Sequence, residues 1–236
     1  MTGVAGSDGS RALGLALGGL GVSNLVVNRW LPDAFYVPWN LSLTAGLAWL
    51  AHRAGITAAQ LGLDRRRLRQ GLGTGAVAAG AVVLAYAATL RRPDPSVLHD
   101  RRVRDLDRRD AWYLALVRIP LGTVVAEEFA FRGVVPALVR NVGAPAWFAD
   151  TVSSVMFGIW HLLPSRELAV ANERAGLVAR RSGPRAVPAL SVASMTAAGV
   201  VLQHLRRRGG HLATPVAAHW ASNALGVVAA RRLGRR

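Results

Sequence analysis

Uncharged apolar runs as long as a bilayer is thick constrain this chain more than any other feature. A helix crossing a hydrocarbon core of about 30 Å needs about 20 mostly apolar residues. Residues 71–90 supply such a run without a single charge. Residues 12–28, 34–51 and 186–203 are further uncharged runs, and 209–230 carries only His as an ionisable group. Two more segments, 111–138 and 144–163, are apolar but interrupted. The first contains Arg118, Glu127, Glu128 and Arg132; the second contains Asp150 and His161. In lipid the backbone must satisfy its own hydrogen bonds, and within single runs of this length only a helix does so. The pattern predicts an all-α polytopic bundle of about seven transmembrane spans, multi-pass in a cell membrane. The run at 12–28 follows a short polar head with no small-residue cleavage site after it, so a retained helix is expected.

Composition agrees. Hydrophobic residues make up 52% of the 236 residues and charged residues 18%, against about 25% charged in soluble domains. Twenty-nine cations, all Arg, oppose 13 acids for a net charge of +16. The arginines cluster between apolar runs, at 65–67, 206–208 and 231–232. That layout fits membrane-flanking charge facing anionic lipid, not a nucleic-acid surface. Assigned to loops of a seven-span topology, 17 Arg fall on the side of the C-terminus and 10 on the other, which favours a cytoplasmic C-terminus. The absence of Cys excludes disulfides, thiolate metal sites, a cysteine nucleophile and Cys lipidation. The Arg-only usage reads as GC-rich and bacterial.

The Arg-rich stretch 91–110, with Pro93 and Pro95, reads as a solvated linker. It divides N-terminal helices (1–110) from a second set (111–236). Residues 164–188 form the other long connection. Gly14 with Gly18, and Gly71 with Gly75, have the small-xxx-small spacing that lets helices approach closely in lipid. Trp30, Trp39, Trp49, Trp112 and Trp147 suit interfacial aromatic belts, and His52, His99, His204 and His211 fall near span ends or in loops.

Ionisable groups inside spans cost about 2.5–3.5 kcal/mol on insertion scales and mark function by default. They form three clusters. Glu127-Glu128-x-x-x-Arg132 puts Glu128 and Arg132 four apart, with the acid N-terminal, as an ion pair along one helix requires. Glu127 lies about 100° round the helix, outside that pair. Phe157-x-x-x-His161 and His219-x-x-x-Asn223 are the other two, and the second puts an imidazole and an amide on one helical face. A carboxylate in a dry site is a candidate general base, and His and Asn are candidate oxyanion donors. Glu127, His161 and His219 are also a donor set for a divalent metal such as zinc, with a fourth position open for water. The usual H-E-x-x-H arrangement is absent. Arg118 is expected to snorkel or to pair with an acid of another helix.

These three motifs, in this order and each in an apolar segment, resemble the CAAX protease and bacteriocin-processing (CPBP) family, also described as type II CAAX prenyl endopeptidases or lysostaphin-resistance-protein-A-like proteins. The likeness covers residues 111–230 and extends to Phe131-Arg132-Gly133. The resemblance implies a membrane endopeptidase with a water-filled cavity open to one side and a protein or peptide substrate. Glu127 would activate water with help from His161. His219 and Asn223 would stabilise the tetrahedral intermediate, and Glu128 and Arg132 would hold the geometry. Trp160 and Trp220, beside the motif histidines, would line the cavity. The resemblance leaves open whether a metal takes part. The competing readings are a non-catalytic scaffold or bacteriocin-immunity protein, a transporter, which the absence of inverted repeats disfavours, and a serine protease, for which no G-x-S-x-G run exists.

Overall fold

The computed structural model describes residues 3–183 and 185–234. No strand occurs among them; the chain is helical throughout. The main helices are α1 (Gly3–Arg29), α2 (Tyr36–Arg53), α3 (Leu68–Leu90), α4 (residues 108–141), α5 (Ala146–Trp160), α6 (Pro164–Ala171), α7 (Glu173–Ser182), α8 (Ala186–Gly209) and α9 (Ala213–Gly234). Three segments among the described residues are long and apolar enough to cross a membrane: Asp8–Arg29, Ala58–Leu90 and Ala186–Gly209. The remaining four expected spans fall short for reasons the residues supply. Helix α5 has 15 residues, about 22 Å of helix against a core of about 30 Å. Helix α4 carries Arg118, Glu127, Glu128 and Arg132, α9 carries His219 and Asn223, and α2 carries Asn40, Ser42, Thr44 and His52.

Helix α4 is not regular. Its central stretches Leu114–Val124 and Phe129–Val134 are π-helical, and the short α-helical piece Val125–Glu128 between them carries both glutamates. Pro120 sits in the first π stretch, where its missing N–H and ring disturb an α-helical ladder. Widened turns of this kind recur at functional sites because they re-aim side chains.

The two segments expected to be loops are partly helical. Residues 164–188 fold into α6 and α7. Pro164 opens the first, and Asn172 caps the second by accepting a hydrogen bond from the Ala175 N–H at 3.0 Å. The linker 91–110 contains the turns Ser96–Leu98 and Arg101–Arg104 and the start of α4. It is tied to α7 by Asn172, which donates to the His99 carbonyl at 2.6 Å.

Close approaches fix how the helices cross. Helix α3 packs along α9. A Cβ on Gly71 would lie 2.5 Å from His211 Cβ, and one on Gly75 would lie 3.1 Å from Ala217 Cβ. The expected role of that glycine pair is therefore found. Gly14 and Gly18 face open space instead. A second close crossing joins α5 to α8, where a Cβ on Gly158 would stand 2.6 Å from the Val192 carbonyl oxygen. Gly158→Ala is expected to lower stability by about 1–3 kcal/mol through overpacking, while Gly14→Ala is expected to be neutral. Thermal unfolding of the two variants in one detergent checks this.

The core runs along the inner faces of α1, α2, α4, α5 and α8. Trp30, Trp49, Trp112 and Trp147 point outward, all more than half exposed. Arg118 has the interhelical partner expected of it: Nη2 donates to Asp33 Oδ1 at 2.9 Å, and the guanidinium lies 4.5 Å from the Tyr36 ring centroid. His211, expected at an interface, is buried in the α8–α9 turn. There its Nδ1 accepts the Ala213 N–H at 3.0 Å. Burial, reinforced by the nearby Arg206 charge, holds its imidazole below the usual histidine range.

Candidate active site

Both glutamates of α4 converge on one imidazole from α9. Glu128, completely buried, meets His219 Nδ1 through Oε1 at 2.7 Å. Glu127 Oε2 lies 3.9 Å from His219 Nε2. Consecutive residues thus bracket the two nitrogens of a single ring. A carboxylate only accepts, so Nδ1 carries a proton toward Glu128, and Nε2 carries one only in the imidazolium form.

The expected Glu128–Arg132 pair is present, with Nη1 3.3 Å from Oε1. Both side chains are almost wholly buried. Arg132 also sits over the face of Phe157, its guanidinium carbon 4.0 Å from the ring centroid. An aromatic face is a favourable neighbour for a desolvated cation. Phe157 contacts the His219 ring edge-on at 5.9 Å between centroids. It thereby joins the charge pair to the histidine.

Glu127 has a different surrounding. Its Oε1 accepts a hydrogen bond from Trp160 Nε1 at 2.9 Å, and its Oε2 has no hydrogen-bond partner among the described residues. It lines a cavity of about 850 Å³, together with Trp160, His161 and Asn223. The linker 91–110 and α6 contribute to the same cavity through His99, Arg102 and Glu167. The large cavity therefore reaches the polar end of the bundle.

His161 lies just past the end of α5, at the helix cap, and not within the helix. Its Nδ1 bonds the Phe157 carbonyl oxygen at 2.8 Å. A carbonyl only accepts, so Nδ1–H donates, which leaves Nε2 as the acceptor of the neutral ring. Trp160, one residue earlier, holds Glu127, while its backbone carbonyl accepts from Asn24 of α1 at 2.9 Å. Trp220 does not reach the glutamates; it donates to the Ala115 carbonyl in the π-helical part of α4 at 2.8 Å.

Glu127, His161 and His219 do not close up as one metal-ligand set. Among the described residues no three His, Asp or Glu side chains are grouped closely enough to hold an ion. His161 stands with Glu127 on the cavity wall, whereas His219 is engaged behind by Glu128.

The role of Trp160 was not legible beyond its place next to His161. Trp160→Phe removes a hydrogen bond to a charged acceptor, worth about 1.5–3 kcal/mol. Turnover is expected to fall about ten- to a hundredfold, with KM little changed. Steady-state cleavage of a reporter peptide checks this.

No curated protein and no solved structure matches the chain. A family model does match, over residues 109–225. That interval runs from the first turn of α4 through Asn223 and contains all seven motif residues together with Trp160. Through this half of its length the chain belongs to the type II CAAX prenyl endopeptidase Rce1-like family.

Proposed function

We propose that the chain is an intramembrane endopeptidase that hydrolyses a peptide bond of a membrane-associated protein or peptide. Its catalytic helices lie in a bundle of about seven passes. Members of the family are membrane proteases, and the family description names prenylated CAAX substrates. The observation that carries the reading is the state of Glu127: a buried carboxylate on a cavity wall, with one oxygen held by Trp160 and the other without a hydrogen bond among the described residues.

Glu127 Oε2 accepts a proton from water as the water oxygen attacks the scissile carbonyl carbon. The carbonyl π electrons move onto oxygen, and the resulting oxyanion is met by the Asn223 amide and by His219 Nε2–H. His219 donates there as the imidazolium, with Nδ1–H directed to Glu128. Collapse re-forms the carbonyl and expels the amine, which takes its proton from Glu127. His161, with Nε2 unprotonated, holds the attacking water. Glu128 and Arg132 position the ring of His219 and the backbone of α4. A low-dielectric surround strengthens each of these charge interactions.

The test compares peptide termini in membranes of cells producing the wild-type chain or Glu127→Ala at equal levels. Termini present only with the wild type establish proteolysis and identify the substrates. Identical profiles, with both proteins folded and abundant, replace this reading with that of a binding or immunity protein using the same bundle.

A further inference from the structure

A second cavity, of about 240 Å³, lies at the opposite end of α5 from the large one. It is lined by Arg132, Arg140, Asp150, Gln203, Arg206 and Arg207. Helix α5 begins beside it and ends at Trp160 on the large cavity, so the two cavities adjoin opposite ends of one helix. None of these residues except Arg132 belongs to the three motifs.

The charges here do not balance. Four guanidiniums face two carboxylates. Glu128 answers Arg132 from behind. Asp150 is in close ion pair with Arg207, lies 3.6 Å from Arg140 Nη1, and accepts from Gln203 Nε2 at 2.7 Å. The net excess is two positive charges, with Asp150 shared between Arg207 and Arg140 and no carboxylate paired with Arg206 among the described residues. Donors are left over as well. Arg132, only 2% exposed, lines the cavity with Nη1 and Nη2 making no hydrogen bond, and the buried Arg206 Nε has no partner. A buried donor without an acceptor and a buried charge without a counter-charge are both costly.

We propose that this cavity binds a phosphate-class oxyanion. Planar guanidiniums present paired N–H donors that match phosphate oxygens two at a time. The volume is roughly eight times the 30 Å³ share of a liquid water molecule, enough for a phosphate group with some of its hydration. Position supplies a source: Arg206 and Arg207 lie in the last turn of α8 and Arg140 in the last turns of α4. That is the level at which lipid headgroups meet a span. The phosphodiester of a net-anionic headgroup, which unlike that of phosphatidylcholine has no ammonium of its own, and free phosphate share this chemistry.

Two arms separate the sources. In the first, the full chain in detergent is titrated with sodium phosphate against sodium chloride at constant ionic strength. In the second, it is reconstituted in nanodiscs of phosphatidylcholine alone or with phosphatidylglycerol. Each arm compares the wild type with R140Q/R206Q and with Arg69→Gln, a charge removed from an exposed position outside the cavity. The Tm of the wild type and of Arg69→Gln is expected to rise by about 5–10 °C at a hundredfold excess over Kd. R140Q/R206Q should lose that rise, and without added anion its Tm should not fall below the wild type, because repulsion is relieved. A rise in the detergent arm identifies free phosphate as sufficient; a rise confined to phosphatidylglycerol discs identifies the headgroup. If R140Q/R206Q does not fold, Arg206→Gln carries the same comparison. A wild type that responds to neither probe, or variants that respond as the wild type does, overturns the proposal.

Discussion

Glu127→Gln is expected to reduce peptide-bond cleavage by about 10³-fold or more while leaving the fold intact. A positioned general base contributes about 10²–10⁴-fold, and the amide cannot accept the proton. The substitution is otherwise conservative here. The amide oxygen can still accept the Trp160 N–H at the Oε1 position. The other carboxylate oxygen, which has no hydrogen-bond partner to lose, is replaced by a neutral group 3.9 Å from His219 Nε2. Removing a buried charge should leave thermal stability equal or higher, as is common for substitutions at strained active sites. Single-turnover cleavage of a substrate found by terminus mapping, together with the Tm of the same preparation, measures both. A Glu127→Gln protein that is folded and cleaves at the wild-type rate eliminates Glu127 as the base.

Much of the bundle was legible because apolar length is a one-dimensional property. The run 71–90 reappears as α3 and 12–28 as part of α1. Errors arose where local chemistry overrode hydropathy. Helix α8 continues past Gln203 through three arginines and stops only at Gly209, where Gly210 takes a positive φ of 66°. In 164–188 a proline that reads as a breaker serves as the first residue of α6. The short α5 ends before His161, so that residue caps a helix and does not lie within one.

The site was legible in part, along the same divide between local and distant contacts. Glu128 and Arg132 are one helical turn apart, and their pairing follows from spacing. The encounter of both glutamates with His219 joins α4 to α9 across 91 residues of sequence and depends on π-helical turns that no spacing rule announces. Arg118 likewise waits on Asp33, 85 residues away. Asp150 was visible as a charge in an apolar run, but its partners come from the ends of two other helices.

Glu128→Ala and Arg132→Ala should each remove both activity and stability, for different immediate reasons. Glu128→Ala leaves Arg132 as a buried charge without its pair, and Arg132→Ala leaves Glu128 with His219 alone; breaking a buried pair costs about 3–5 kcal/mol. For a chain of this size that is a Tm loss of roughly 10 °C. Glu128→Ala also releases Nδ1 of His219, and Arg132→Ala leaves the Phe157 face without its cation. Replacing both together with neutral groups of similar shape, as in E128Q/R132M, removes the charges in pairs. Its stability should therefore exceed that of Arg132→Met alone, which leaves the buried carboxylate without its guanidinium. Activity should not return with stability. A neutral amide at 128 no longer supplies the negative charge beside His219 Nδ1, so the imidazolium that meets the oxyanion loses its counter-ion. Recovered Tm with cleavage still depressed separates the scaffold role of the ion pair from the orienting role of Glu128. Recovery of both would assign the pair to scaffolding alone and leave His219 to act without its carboxylate.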